Sequence, residues 1–122
     1  MTNVIHCYSR KQAIEDGILI DVSKLAKELG FTYPVAVTAG VWESCIQVPE
    51  SVKGWQDETG RLWDILNIVR VGAKSESSNC LRVQVLFQNK PVGPPEKVTL
   101  VAHCGPGDKA EPVLTIMLPG ED

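Results

Sequence analysis

Two apolar segments near the end of the chain constrain its fold more than any other feature. They cover residues 98–104 and 113–118, and both are rich in β-branched side chains. The insert between them begins with Gly105-Pro-Gly-Asp108. Apolar runs of this length, bounded by glycine and proline, are typical of paired strands joined by a loop. The sequence therefore predicts a sheet here, and the insert is the first place to look for a site.

The segment before this pair shows the clearest period of two in the chain. Leu81, Val83 and Val85 alternate with Arg82 and Gln84. Because successive side chains of a strand point to opposite faces of a sheet, this pattern predicts one buried face and one exposed face. Such a strand is typical of an antiparallel sheet.

Helical signals dominate the first half of the chain. Ser9 followed by Gln12 matches a capping box, which predicts a helix over 10–16 that ends at Gly17. Apolar residues at helical spacing predict further helices over 23–29, 39–47 and 62–73. Short apolar runs are interpreted as strands or buried connectors at 3–8, 18–21 and 35–38.

Residues 52–63 allow two interpretations. Asp57-Glu-Thr-Gly60 is a turn signal between Trp55 and Trp63, which indicates a small hairpin. Alternatively, the segment is a loop that leads into the fourth helix, and we favour a helix from Leu62 onward. The apolar stripe of that helix includes Trp63, so this side chain is expected in the core.

The order of these elements determines the predicted fold class. Helices come mostly first and strands mostly last, and 122 residues are enough for one domain. We therefore predict a single α+β domain over residues 1–122. Its three- or four-stranded, mainly antiparallel sheet is expected to pack against three or four helices.

Charge and hydropathy argue against several classes of function. A net charge of −3 does not indicate nucleic-acid binding, which usually requires a basic surface. No apolar run is long enough to span a membrane, and the N-terminus lacks the features of a signal peptide. A cytoplasmic protein is expected, with its four cysteines as reduced thiols.

Both histidines precede a cysteine, at His6-Cys7 and His103-Cys104, and two histidines with two cysteines are one ligand set of zinc. Adjacent residues of a strand point to opposite faces, however, so each dipeptide offers only one ligand to a shared site. The usual zinc spacings are also absent from the sequence. We therefore predict no metal and no cofactor.

The insert between the closing strands carries the candidate chemistry. Cys104 is a candidate nucleophile, with His6 as its base and loop amides as an oxyanion site, and Asp108 is a further catalytic candidate. The competing interpretation is a structural cysteine before a tight turn, in which Asp108 bonds to nearby amides. We favour the structural interpretation, and the sequence leaves open whether any catalysis occurs.

Candidate binding residues lie in the same insert and on two other elements. Gly105, Gly107 and Asp108 would contact a ligand at the turn, and Asp64 lies on an otherwise apolar helix. Tryptophan is enriched at the centres of protein interfaces, so Trp55 is expected to be exposed and to contact a protein partner.

Several motifs together carry a family resemblance. They are Ser9-Arg-x-Gln-Ala-Ile-x-Asp-Gly17, Tyr33-Pro-Val-Ala-Val-Thr38, Gly60-Arg-Leu-Trp-Asp64, Cys104-Gly-Pro-Gly-Asp108 and Glu111-Pro-Val-x-Thr-Ile-Met-Leu-Pro-Gly-Glu-Asp122. With them the chain resembles an uncharacterised bacterial domain-of-unknown-function family of small proteins, often encoded on plasmids, phages and other mobile elements. The resemblance implies a role in plasmid upkeep or in countering host defence, and it implies no activity or catalytic residue.

Two functional hypotheses follow from these observations. The favoured one is a non-enzymatic binding or accessory protein of a mobile element, because the sequence contains no recognisable catalytic motif. The alternative is a small enzyme or ligand-binding domain with its site around residues 104–108.

Overall fold

The computed structural model describes residues 9–50, 54, 57–74, 80–87, 89 and 92–121, and these residues form four helices and five strands. The helices are α1 (Arg10–Glu15), α2 (Ser23–Glu28), α3 (Ala39–Val41, continued by a π-helix over Trp42–Ile46) and α4 (Glu58–Lys74). The strands are β1 (Leu19–Asp21), β2 (Val35–Thr38), β3 (Cys80–Phe87), β4 (Glu96–Pro106) and β5 (Pro112–Met117). The strand predicted over 3–8 lies outside the described residues.

The five strands form one mixed sheet in the order β1-β2-β5-β4-β3. Neighbouring strands are antiparallel, except that β2 runs parallel to β5. The predicted α+β class is confirmed, whereas the predicted three or four mainly antiparallel strands are corrected to five strands in a mixed sheet. The difference arises because β2, which comes from the helical half of the chain, lies between β1 and the last strand.

The two faces of the sheet have different surroundings. The core face carries Leu100, Ala102 and Ile116, which belong to the main hydrophobic cluster together with residues of α2, the π-helix and α4. On the opposite face lie Val101, His103, Thr115 and Met117, by the alternation of side chains along a strand. We call this second face the α1 face, because Arg10 of α1 contacts Thr115 there.

Local capping positions the first helix as its capping box predicts, and a threonine caps the third helix in the same way. The hydroxyl of Ser9 accepts the Gln12 N–H at 3.0 Å, and the hydroxyl of Thr38 accepts the Val41 N–H at 3.1 Å. Gly17 follows α1 with a φ of 79°, a backbone conformation that glycine adopts without a Cβ clash.

Helix α4 begins earlier than predicted. The Asp57 carboxylate accepts the Gly60 N–H at 2.6 Å, so the residues interpreted as a hairpin turn form the N-terminus of a helix. The hairpin interpretation is therefore wrong for residues 57–63, and the helix starts at Glu58 instead of Leu62. Trp63 is 44% exposed, which corrects the expectation that it lies in the core.

A buried arginine joins α4 to its neighbours. Arg61 is 3% exposed, and its guanidinium donates to the Cys45 carbonyl at 3.1 Å and to Asn89 Oδ1 at 2.8 Å. The guanidinium also lies 5.2 Å from the centroid of the Phe87 ring. Burial lowers the pKa of Arg61 and raises the pKa of the Cys45 thiol, which therefore stays protonated at neutral pH.

None of the described helices combines the length and the apolar character that crossing a membrane requires.

Candidate functional site

An open groove of about 620 Å³ lies on the α1 face of the sheet. Strands β4 and β5 line it together with α1, the segment after α1 and the start of α3. Its polar side chains are Arg10, Thr38, His103, Asp108, Thr115 and Glu121. Ile18 and Pro106, both exposed, supply apolar surface above the buried Val113 and Met117, so the groove combines a few polar groups with an apolar lining, as ligand sites do.

Arg10 is fixed in this groove by two hydrogen bonds to β5. Its Nη1 donates to Thr115 Oγ1 at 2.7 Å, and its Nη2 donates to the Leu114 carbonyl at 3.0 Å. A guanidinium carries five N–H donors, so donors remain beyond those that hold the side chain in place. The two bonds to β5 thus hold the positive charge of Arg10 in a fixed position beside the groove.

Three carboxylates surround this guanidinium. Burial lowers the pKa of Arg10, and the charges of Asp21, Asp108 and Glu111 oppose that shift. The residue therefore remains a cation at neutral pH. Because acidic groups already lie near it, a free multivalent anion is a poor match for this end of the groove.

Asp108 anchors the N-terminus of α1 to the β4–β5 turn. Its two carboxylate oxygens accept the backbone N–H groups of Arg10 at 2.7 Å and of Lys11 at 3.0 Å. These N–H groups belong to the first turn of a helix, where no intrahelical acceptor is available. The same two bonds lower the pKa of Asp108, because they stabilise the ionised carboxylate.

Asp108→Asn is expected to make the melting temperature less dependent on pH in the acidic range. A carboxylate with a lowered pKa stabilises the fold above its unfolded-state value, near 3.8, and this contribution is lost as the pH falls through the lower folded value. The melting temperature of the wild type should therefore exceed that of Asp108→Asn at pH 7, and the difference should shrink below about pH 4.

Thermal unfolding followed by circular dichroism from pH 2 to pH 7 measures this difference. Asp64→Asn is the control, because Asp64 is exposed on α4 and does not line the groove. A difference between wild type and Asp108→Asn that stays constant down to pH 2 would contradict the prediction.

His103 lies at the middle of the groove face. It is the cross-strand neighbour of Cys80 on β3 and of Thr115 on β5. Its ring lies close to Gly105, where an added Cβ would come within 2.9 Å of His103 Cε1. The imidazole is exposed, and no hydrogen bond joins it to the described residues. Its nitrogen atoms therefore remain accessible to a ligand.

Glu121 closes the other end of the groove. Its Oε1 accepts the Thr38 hydroxyl at 2.7 Å and the Leu118 N–H at 2.6 Å. A Cβ at Gly40 would lie 2.7 Å from Glu121 Oε2, so glycine at this position allows the carboxylate to approach α3. These contacts fix the carboxylate to the chain itself.

The structure brings together only part of the predicted site. Gly105, Gly107 and Asp108 line the groove. Cys104 follows Ala102 by two positions on β4, so the two side chains share the core face and Cys104 points away from the groove.

The other three site candidates are not among the described residues of the groove. Asp64 lies on the exposed side of α4, apart from the groove. His6 and Trp55 lie outside the described residues, so their proposed roles stay predictions.

Asp108 was among the predicted binding residues, but Arg10 and His103, the groove residues on which the site depends most, were not. His103 could have been found from the strand pattern, because residues 99, 101, 103 and 105 share one face of β4. Arg10 gave no comparable signal, since its partner Thr115 is 105 positions away in the chain. Within the described ranges, no group of three or more His, Cys, Asp or Glu side chains is arranged to hold a metal ion.

Comparison with known proteins gives one match. A family model described as "Family of unknown function (DUF6573)" matches residues 1–122. No curated protein and no solved structure matches the chain significantly. The family description specifies no activity, ligand or partner.

Proposed function

Because the chain belongs to the DUF6573 family of unknown function, we propose its function from the groove itself. In this proposal it is a non-enzymatic binding protein that holds an extended segment of a partner protein against Arg10 and His103. The observation that carries the proposal is the fixed Arg10 guanidinium, which lines the open groove on the α1 face and has donors beyond the two that bind β5.

The chemistry of the groove indicates what the segment supplies. Arg10 offers N–H donors, and His103 offers an exposed imidazole. The carboxylates of Asp108 and Glu121 are already bonded to the protein's own backbone and hydroxyl groups. The unused groups therefore favour a ligand with acceptor oxygens, and the backbone carbonyls of a polypeptide provide them in a row.

The arrangement of side chains favours binding over catalysis. Cys104, the candidate nucleophile, points to the core face, and Asp108 accepts two backbone N–H groups of α1. A nucleophile and a base must lie within hydrogen-bond reach of each other. In the groove the Thr38 hydroxyl donates to Glu121 Oε1 at 2.7 Å, but the same two oxygens accept the backbone N–H groups of Val41 and Leu118, so both serve the local structure. The side chain of Ile18, which lines the groove and is 52% exposed, instead suits contact with side chains of a bound segment.

The biological setting in this proposal rests on the sequence motifs. A bacterial, cytoplasmic accessory protein of a mobile element is proposed, because the chain resembles such proteins in the motifs given above. The interpretation of residues 1–122 as one domain, and of Trp55 and Asp64 as binding residues, stays a prediction. A small ligand-binding domain is the second candidate, since about 620 Å³ lies in the range of small-molecule sites.

Selection from a phage-displayed library of random peptides tests the proposed function. Peptides enriched on the wild type should bind His103→Ala at least about tenfold more weakly, as loss of a contact worth about 1.4 kcal/mol implies. Gly105→Ala should also weaken binding, because the added Cβ displaces the His103 ring. Fluorescence polarisation with a labelled selected peptide measures both affinities.

Tyr33→Ala is the matched control, because this exposed ring lies outside the groove. It should bind the selected peptides as the wild type does. Selected peptides that bind His103→Ala as tightly as the wild type would contradict the proposal, and so would a selection that enriches none. A small carboxylate that displaces the peptide and protects His103 in NMR spectra would favour the second candidate.

A further inference from the structure

Strand β3 forms one end of the sheet. It pairs with β4 along all eight of its residues, from Cys80 opposite His103 to Phe87 opposite Glu96. Among the described strands it has a neighbour on one side only. Every second residue of such a strand directs its N–H and C=O groups outward, where they can form hydrogen bonds with another strand.

Within the described residues, this edge lacks the features that usually prevent pairing with another chain. Edge strands are commonly short, charged, interrupted by proline or distorted by a bulge. The opposite edge, β1, has three residues and ends at Asp21. In contrast, β3 has eight residues, one charged side chain at Arg82, no proline and an unbroken register with β4.

Exposed apolar side chains occur on β3 and on the segments that precede and follow it in the chain. Leu86 on β3 is 58% exposed, and Val92 in the following turn is 84% exposed. Val71 on α4 is also 58% exposed and adjoins Gly72, which packs against Leu81 of β3. These account for three of the six large apolar residues that are exposed in the described part of the chain. Exposed apolar side chains of this kind favour an interface.

We propose that two copies of the chain dimerise by antiparallel pairing of their β3 strands, centred on Gln84. This register places Arg82 opposite Leu86 and Val83 opposite Val85 of the second copy, so all opposed residues lie on matching faces. The two five-stranded sheets then form one continuous sheet, and their core faces lie on the same side.

The sequence of β3 favours a second copy as the occupant of this edge. A register centred on Arg82 would oppose two like charges, whereas the register centred on Gln84 opposes none. The aliphatic part of Arg82 would cover the exposed Leu86 side chain of the second copy. Two glutamine amides at the centre can donate to and accept from each other.

Size-exclusion chromatography with light scattering tests the dimer and its register. At about 100 µM the wild type is expected at twice the 13.3 kDa mass of one chain. Gln84→Lys and Gln84→Glu each place like charges opposite each other and should weaken dimerisation at least about tenfold. An equimolar mixture of the two variants should recover the dimer, because Lys then faces Glu.

Gln12→Lys is the matched control, since it makes the same charge change at an exposed position of α1. It should remain dimeric. A single-chain mass for the wild type would overturn the proposal, as would a Gln84→Lys variant that dimerises like the wild type. A mixture of the two charge variants that stays monomeric would also overturn it. None of these results depends on peptide binding in the groove, so they leave the proposed function to its own test.

Discussion

Replacing Arg61 by methionine is expected to lower the free energy of unfolding by about 3 kcal/mol. The buried Cys45 carbonyl and the half-buried Asn89 amide oxygen would each lose a charged donor. Losing a partner at a buried polar group costs about 1–3 kcal/mol, and the contact with the Phe87 ring would be lost as well. Methionine fills much of the volume, so the polar contacts dominate the expected change.

Urea denaturation followed by tryptophan fluorescence measures this change. Arg70→Met is the matched control on the same helix, because Arg70 bonds locally to Asn67 at 3.0 Å. The control is expected to lose less than about 1 kcal/mol, since hydrogen bonds between side chains one helical turn apart contribute little. Equal losses for the two variants would show that Arg61 has no special role in joining α4 to the π-helix.

The features that the sequence predicts correctly are those encoded by neighbouring residues. Ser9 and Thr38 cap their helices through N–H groups three positions further on, so a short motif contains the whole interaction. The alternation in β3 likewise follows from residues two apart, and its buried positions are Val83, Val85 and Phe87. Such local signals do not depend on the rest of the fold.

The errors arise where one local pattern is compatible with two structures. An aspartate followed three residues later by glycine suits both a hairpin turn and a helix N-terminus, and Asp57 with Gly60 forms the second. The position of β2 is a different case. Val35 pairs with Leu114, far along the chain, and nothing within residues 35–38 indicates a parallel neighbour. Tertiary packing decides such pairings.

The groove shows the same division between local and distant information. A turn over Gly105-Pro-Gly-Asp108 was predicted because glycine, proline and aspartate mark turns locally. It is only partly correct, because β4 continues through Pro106, which pairs with Pro112, and the turn begins at Gly107, whose carbonyl accepts the Ala110 N–H at 3.0 Å. That Asp108 would bind the first turn of α1 could not be predicted, since Arg10 lies 98 positions earlier. The alternation of side chains along β4 would have identified His103 instead of Cys104, because only one of two neighbouring residues can point into the groove.

Replacing Arg10 by methionine is expected to lower the free energy of unfolding by about 2 kcal/mol, because hydrogen bonds to charged groups contribute about 1.5–3 kcal/mol. The Leu114 carbonyl and the Thr115 hydroxyl would lose the donor that joins α1 to β5. The backbone bonds from residues 10 and 11 to Asp108 do not involve the side chain and should persist. The fold is therefore expected to survive with α1 less tightly held.

Peptides selected on the wild type should bind Arg10→Met at least about tenfold more weakly, and this loss should persist at temperatures where the variant is fully folded. Lys11→Met is the control, because it removes a positive charge from the same helix while its backbone N–H to Asp108 remains. Arg10→Lys keeps the charge but lacks the fork of donors that reaches two acceptors, so an intermediate affinity is expected. If Arg10→Lys binds as tightly as the wild type, charge alone explains the contact. If Arg10→Met binds as tightly too, the fixed guanidinium has no part in binding.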